Sequence, residues 1–283
     1  MKTKKKILAV AIAAIMILIA LASASLAYLQ DTEYQVNTMT SGKVDIELKE
    51  WMRDNNNGFT EYRNPNFFLP AVFYDANGNV IRDDNGDFLW GVNTIYVDDV
   101  DNQYSIEYDP SYAMANGYTF KMPDTNRMKN VLDKVITVTN IGKNDAYIRT
   151  IILVETNASD KNGTGDTVWK NLAYKSLIDE SDDEVNFFEI NGKFYCALEF
   201  VYTDAIQPNQ ISAPSVVAFW LNPAVKNDEV PEKFRIYAFA QAVQTNGFNN
   251  AQDALDVAFG DVIADNLKTW CAEYITNSTP TNP

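Results

Sequence analysis

Apolar and polar residues alternate with a period of two over several stretches of the chain. Val44-Asp45-Ile46-Glu47-Leu48-Lys49 places its Val, Ile and Leu on one face. Residues 135–140 and 146–154 repeat the pattern on either side of Gly142-Lys143-Asn144-Asp145. Gly142 and Asn144 tolerate positive φ, so this pair reads as a hairpin or as a connection between two sheets. Residues 194–203, 215–221 and 234–244 complete the set. In the last, Ile236, Ala238, Ala240 and Ala242 share one face, and Tyr237, Phe239, Gln241 and Val243 the other.

The period changes near the C-terminus. Ala251, Ala254, Leu255, Ala258 and Phe259 fall on one face of a helix, with Asn249 or Asn250 to cap it and Gly260 to end it. Ile263, Leu267, Trp270 and Cys271 repeat the spacing in a second short helix. Residues 276–283 are rich in Ser, Thr, Asn and Pro and read as a disordered tail. Residues 51–130 have another texture, with turn signals such as Asp75-Ala76-Asn77-Gly78-Asn79 between short aromatic runs. They are expected to form hairpins inserted into one β-sandwich domain spanning residues 28–275.

The first residues break both patterns. Four lysines between Lys2 and Lys6 precede an unbroken apolar run over residues 7–21 and then Ala22-Ser23-Ala24-Ser25-Leu26-Ala27. This is the order of a secretory signal peptide over residues 1–27. Cleavage after Ala24 or Ala27 fits, and Ala27–Tyr28 is the favoured bond. The membrane is then met only through the signal peptide, and a signal peptidase is the expected processing partner.

Charge narrows the chemistry. The net charge is −15, with 38 acidic residues against 23 Lys and Arg. Such a surface repels phosphate backbones and argues against nucleic-acid partners. The chain has no histidine, which excludes a Ser-His-Asp triad, a Cys-His dyad and His-ligated zinc or haem. Its two cysteines, Cys196 and Cys271, fit either a disulfide worth about 4 kcal/mol or two separate buried thiols.

A family resemblance follows from ordered pieces of sequence. Ala27-Tyr28-Leu29-Gln30-Asp31-Thr32-Glu33 comes first, then Asn37-Thr38-Met39-Thr40-Ser41-Gly42-Lys43-Val44-Asp45-Ile46-Glu47-Leu48. Together they resemble the signal-peptide class cleaved by the SipW-type peptidase of Gram-positive bacteria. Residues 136–149 and 240–248 resemble two strand regions of the TasA/camelysin-like exported proteins, in the same order. The resemblance covers about a fifth of the chain and leaves residues 51–130 unmatched.

That resemblance implies a jelly-roll-like antiparallel β-sandwich, and with the hairpin insertions and short C-terminal helices read above the expected fold is mainly β. It also implies a secreted cell-surface or biofilm-matrix protein, a filament subunit that self-associates or joins other matrix proteins. Its mature N-terminal segment, residues 28–50 with Val44, Ile46 and Leu48, would act as a donor strand. The alternative is a monomeric adhesin binding glycan or protein through the aromatic region 51–130. Camelysin-type peptidase activity ranks last, because the chain has no His-Glu-x-x-His motif. No catalytic residue and no cofactor are expected. Asp83, Asn85 and Asp87 are weak Ca²⁺ candidates, for which a hairpin turn is the favoured reading.

Overall fold

The computed structural model describes residues 30–34, 44–54, 58–62, 70–75, 77–82, 86, 96–98, 103–105, 112–113, 119–120, 122–123, 128–160, 162–178, 186–226, 229–231 and 234–277. Its architecture is mainly β, and the ladders within the sheets are antiparallel. The first layer runs in the order β1 (Gln30–Tyr34), β17 (Ile236–Gln244), β12 (Ala146–Thr156), β15 (Lys193–Val201), β14 (Asn186–Ile190). The second layer joins two ladders. One is β3 (Phe59–Glu61), β2 (Ile46–Arg53), β11 (Val135–Asn140). The other is β10 (Leu132–Asp133), β16 (Val216–Leu221), β13 (Leu172–Ser176). They merge because β10 and β11 are successive parts of one extended run. Along it Lys134 N donates to Val217 O and Ser215 N to Ile136 O, both at 3.0 Å.

The period-two pattern explains the layers. Ile148, Ile152 and Val154 of β12, with Ala238, Ala240 and Ala242 of β17, face Ile46, Leu48, Ile136 and Val138 across the main core. The alternate residues of β12 are also buried, because the other face of the first layer is roofed by helices. This double burial is why the two-residue alternation expected of residues 146–154 gives way to burial on both faces of the strand. The turn at residues 141–145 links β11 of the second layer to β12 of the first, so it is the connection between sheets.

Helix α1 (Ala251–Phe259) begins at Asn250, whose side chain accepts from Asp253 N at 2.8 Å. Gly260, at φ +88°, ends it and donates its N–H to Asp256 O. Ala251, Ala254 and Leu255 pack on Val243. Helix α2 (Ala264–Asn277) sets Leu267 and Cys271 on Phe188, Tyr195 and Phe239. Ile263 departs from the helical expectation. It precedes α2 and is 48% exposed, while its neighbour Val262 takes the buried position.

The opposite outer face, on the second layer, is covered by residues of the 51–130 stretch. Phe73, Ile81, Phe120, Met122 and Met128 cluster with Val217, Ala218 and Trp220. Short ladders hold this stretch together: β4 (Val72–Phe73) with β9 (Met128–Lys129), β5 (Tyr96–Asp98) with β6 (Gln103–Ser105), and β7 (Tyr112–Ala113) with β8 (Thr119–Phe120). Phe59 stacks on Phe120 at 5.3 Å between centroids.

The disulfide alternative is not realised. Cys196 and Cys271 are both free and buried. Cys196 points into the main core from β15, whereas Cys271 on α2 lies against the outer face of the same layer, so a β-sheet separates them.

Candidate assembly site

Two strands, β1 and β2, come from the N-terminal stretch singled out in the sequence. β1 lies at the edge of the first layer. It pairs with β17 in the register Gln30↔Val243, Asp31↔Ala242, Thr32↔Gln241, Glu33↔Ala240 and Tyr34↔Phe239. Among the described residues β17 is its only ladder partner. An outer backbone edge of this kind can accept a further strand, and removal of β1 would expose the edge of β17.

β2 is held in a different way. It pairs with all of β11, from Ile46↔Asn140 to Val135↔Trp51. Val44, Ile46 and Leu48 are buried in the main core. Two residues further along the same face, Glu50 meets Lys134 at 2.6 Å, with both side chains 4% exposed. The Lys134 ammonium also lies 4.2 Å from the centroid of the Tyr62 ring. Burial, with the Glu50 and Asp133 carboxylates nearby, pushes the Tyr62 hydroxyl up from its ordinary value. Arg53 closes the strand: its Nε and Nη2 donate to Asp133 at 2.6 and 2.7 Å, and Nη1 donates to Pro123 O. Trp51 Nε1 donates to Thr137 Oγ1 at 3.0 Å.

The start of β2 is tied to the turn between layers. Asp45 O accepts the N–H groups of Ile141 and Gly142, both at 2.9 Å. The turn is closed by buried Asn140, whose Nδ2 donates to Asn144 O and Ile206 O and whose Oδ1 accepts from Gly142 N. A cleft of about 670 Å³ opens near Ile206, lined among others by Leu177, Tyr202, Asp204, Gln210, Ile211 and Asn250.

Of the residues singled out from sequence, Val44, Ile46 and Leu48 come together in the core. Ala27 and Tyr28 lie outside the described residues, as do Asp83, Asn85 and Asp87. Two described loops repeat the Asp-x-Asn-Gly spacing of the Ca²⁺ candidate. Asp75 accepts from Asn77 N and Asn79 N at 2.8 Å, and Asp160 from Asn162 N and Thr164 N at 2.8 and 3.1 Å. Those bonds hold both carboxyls below the ordinary carboxylate range. Gly78, Gly163 and Gly86, the equivalent glycine of the 83–87 loop, all have positive φ. Turn closure accounts for this spacing. Among the described residues no three His, Cys, Asp or Glu side chains are grouped to hold a metal.

One polar hub escaped the sequence reading. Arg149 is completely buried on the outer face of β12. Its Nε donates to Gln241 Oε1 at 2.8 Å, Nη1 to Glu199 and Asp256 at 2.9 and 3.2 Å, and Nη2 to Gly260 O at 2.8 Å. The guanidinium lies 5.2 Å from the Trp270 ring centroid. It thus ties three strands to the corner between α1 and α2. An arginine inside the apolar run 146–154 was the available signal.

Comparison with family models, with curated proteins and with solved structures finds no match for this chain.

Proposed function

We propose that this chain is an exported cell-surface or matrix structural protein whose subunits join by strand exchange. In this reading the N-terminal segment of one subunit leaves its own β17 and pairs with β17 of the next. The observation that carries it is the position of β1. It is an edge strand on one layer, tethered through residues 35–43 to β2, a core strand of the other. Exchange of β1 leaves the main core closed, whereas exchange of β2 would open it. The donor segment is accordingly narrowed from residues 28–50 to the part before Val44, and Val44, Ile46 and Leu48 stay with their own subunit.

Each exchanged strand would be held by main-chain hydrogen bonds, as in other strand-addition complexes. Head-to-tail addition does not close on itself, so it yields filaments. The order of N-terminal motifs adds export through a SipW-type signal peptide, a jelly-roll-like sandwich and a TasA-like matrix role to the same reading. The protein acts by association, without catalysis.

Electron microscopy tests this on the mature chain, residues 28–283, beside a chain that starts at Lys43 and retains β2. Filaments from the first and folded monomers from the second are expected. Monomers from the mature chain at every concentration and pH would overturn the reading. A peptide of residues 28–43 in excess should block assembly by occupying β17.

A further inference from the structure

We propose that β1 is built to detach: Asp31 and Glu33, at the inner-face register positions of the outermost strand, keep its pairing with β17 weak enough to open while the rest of the sandwich stays closed. The inference deepens the strand exchange proposed above, but it concerns the single chain and is read in the single chain.

Residues directly opposite one another in an antiparallel ladder occupy the same face of the sheet. Asp31 stands opposite Ala242 and Glu33 opposite Ala240. Both alanines belong to the main core. The inner-face positions of β1 are therefore both acidic, and its outer-face positions are Gln30, Thr32 and Tyr34. The five register positions on β17 carry no cation. Among the described residues β1 also lies against β2. The inner-face positions of β2 are Ile46, Leu48 and Glu50, and Lys134, from the run joining β10 to β11, is engaged by Glu50.

A carboxylate resists removal from water unless an opposite charge meets it. Inward-pointing charge on an edge strand is a known means of keeping that edge from permanent pairing. β2 shows the contrast within the same chain. It has apolar residues, Ile46 and Leu48, at inner-face positions, and the acid it carries there, Glu50, is met by Lys134 from the run joining β10 to β11. A strand with acids at both inner register positions gains main-chain hydrogen bonds by docking, and the charge at those positions opposes it. It can be traded for an identical strand from a neighbour without unfolding the acceptor.

Hydrogen–deuterium exchange read by mass spectrometry tests this on the mature chain, residues 28–283, diluted until it is monomeric. The peptide containing β1 should exchange at least about a hundredfold faster than that containing β12. In the Asp31→Val/Glu33→Val variant, exchange in β1 should slow by at least about tenfold, with β2 and β12 unchanged. Asp31→Asn/Glu33→Gln should fall between the two. Protection of wild-type β1 equal to that of β12 would overturn the proposal, as would unchanged β1 exchange in the Val variant while β2 and β12 remain protected. Fast, substitution-sensitive exchange in a chain that never forms filaments would support detachment and defeat the assembly reading alone. Filaments from a chain whose free β1 is already locked would defeat detachment alone.

Discussion

β1 and β2 lie close together in the sequence and are held in opposite ways. β2 contributes to the main core, closes two ion pairs and is fastened to the turn between layers. Among the described residues β1 has β17 as its ladder neighbour, and its two acids stand at the register positions opposite Ala242 and Ala240. Alternation tells which residues share a face, but not which layer a strand joins or how firmly it is held. What stands opposite each position decides that.

The largest expected effect breaks the comparison at its strong end. A chain starting at Trp51 loses Val44, Ile46 and Leu48 together. Truncating one such buried side chain costs about 2–5 kcal/mol, against a total of about 5–15 kcal/mol for a typical domain. That chain should show no cooperative melting transition by circular dichroism, and a chain starting at Lys43 should keep one. A cooperative transition without β2 would show that the body folds independently of it.

Next in size are single substitutions at buried charges. Glu50→Gln leaves the Lys134 ammonium buried without its carboxylate and should cost about 3–5 kcal/mol in urea unfolding. Glu50→Leu with Lys134→Met should recover most of that, because a well-packed apolar pair removes the desolvation penalty. Arg149→Leu removes the buried cation beside Glu199 and the donor to the Gly260 carbonyl, and should cost a similar amount. Its loss should raise hydrogen exchange in α1 and α2 and leave β2 protected. If α1 and α2 keep their protection, packing alone fixes the helix corner.

These residues also mark how far the sequence could be read. The faces of β17, the cap at Asn250 and the apolar stripe of α1 follow from local periodicity, and the structure has them. Strands β13 and β14 escaped, because Leu172–Ser176 and Asn186–Ile190 are short and lack clean alternation. Arg149 was hidden by its own strand, since its partners lie 50 to 111 positions away in sequence. The Glu50–Lys134 pair was hidden in the same way, with 84 positions between the partners. The cysteines show the same limit: each was legible as a buried position, but the sheet between them was not.

A smaller effect separates the body from β1 by pH. Burial pushes the Cys271 thiol from 9.0 up to about 12 and raises the Cys196 thiol well above its ordinary value. In both cases the unfolded chain ionises first. The stabilisation is therefore complete below about pH 9 and is lost as pH rises towards 12. The denaturation midpoint should fall over that window, and Cys271→Ala should flatten the fall even though the cavity lowers the midpoint at neutral pH. An unchanged slope in that variant would assign the alkaline loss to other groups, such as Tyr195, whose hydroxyl burial also pushes up. Neither β1 nor β2 contains a thiol.

The smallest effect tests the weak end of the comparison. Beginning the chain at Lys43 removes β1 and leaves every named core contact of β2 in place. A short edge strand with acids at its inner positions returns little more than its ladder hydrogen bonds, each worth a net of about 1 kcal/mol before the entropy of ordering five residues is subtracted. The two terms nearly cancel, so the stability of the shortened chain should lie within about 1 kcal/mol of the mature chain. Urea unfolding of both chains at one concentration measures the difference. A loss of several kcal/mol would make β1 as integral to the body as β2, and strand exchange would then require partial unfolding of the acceptor.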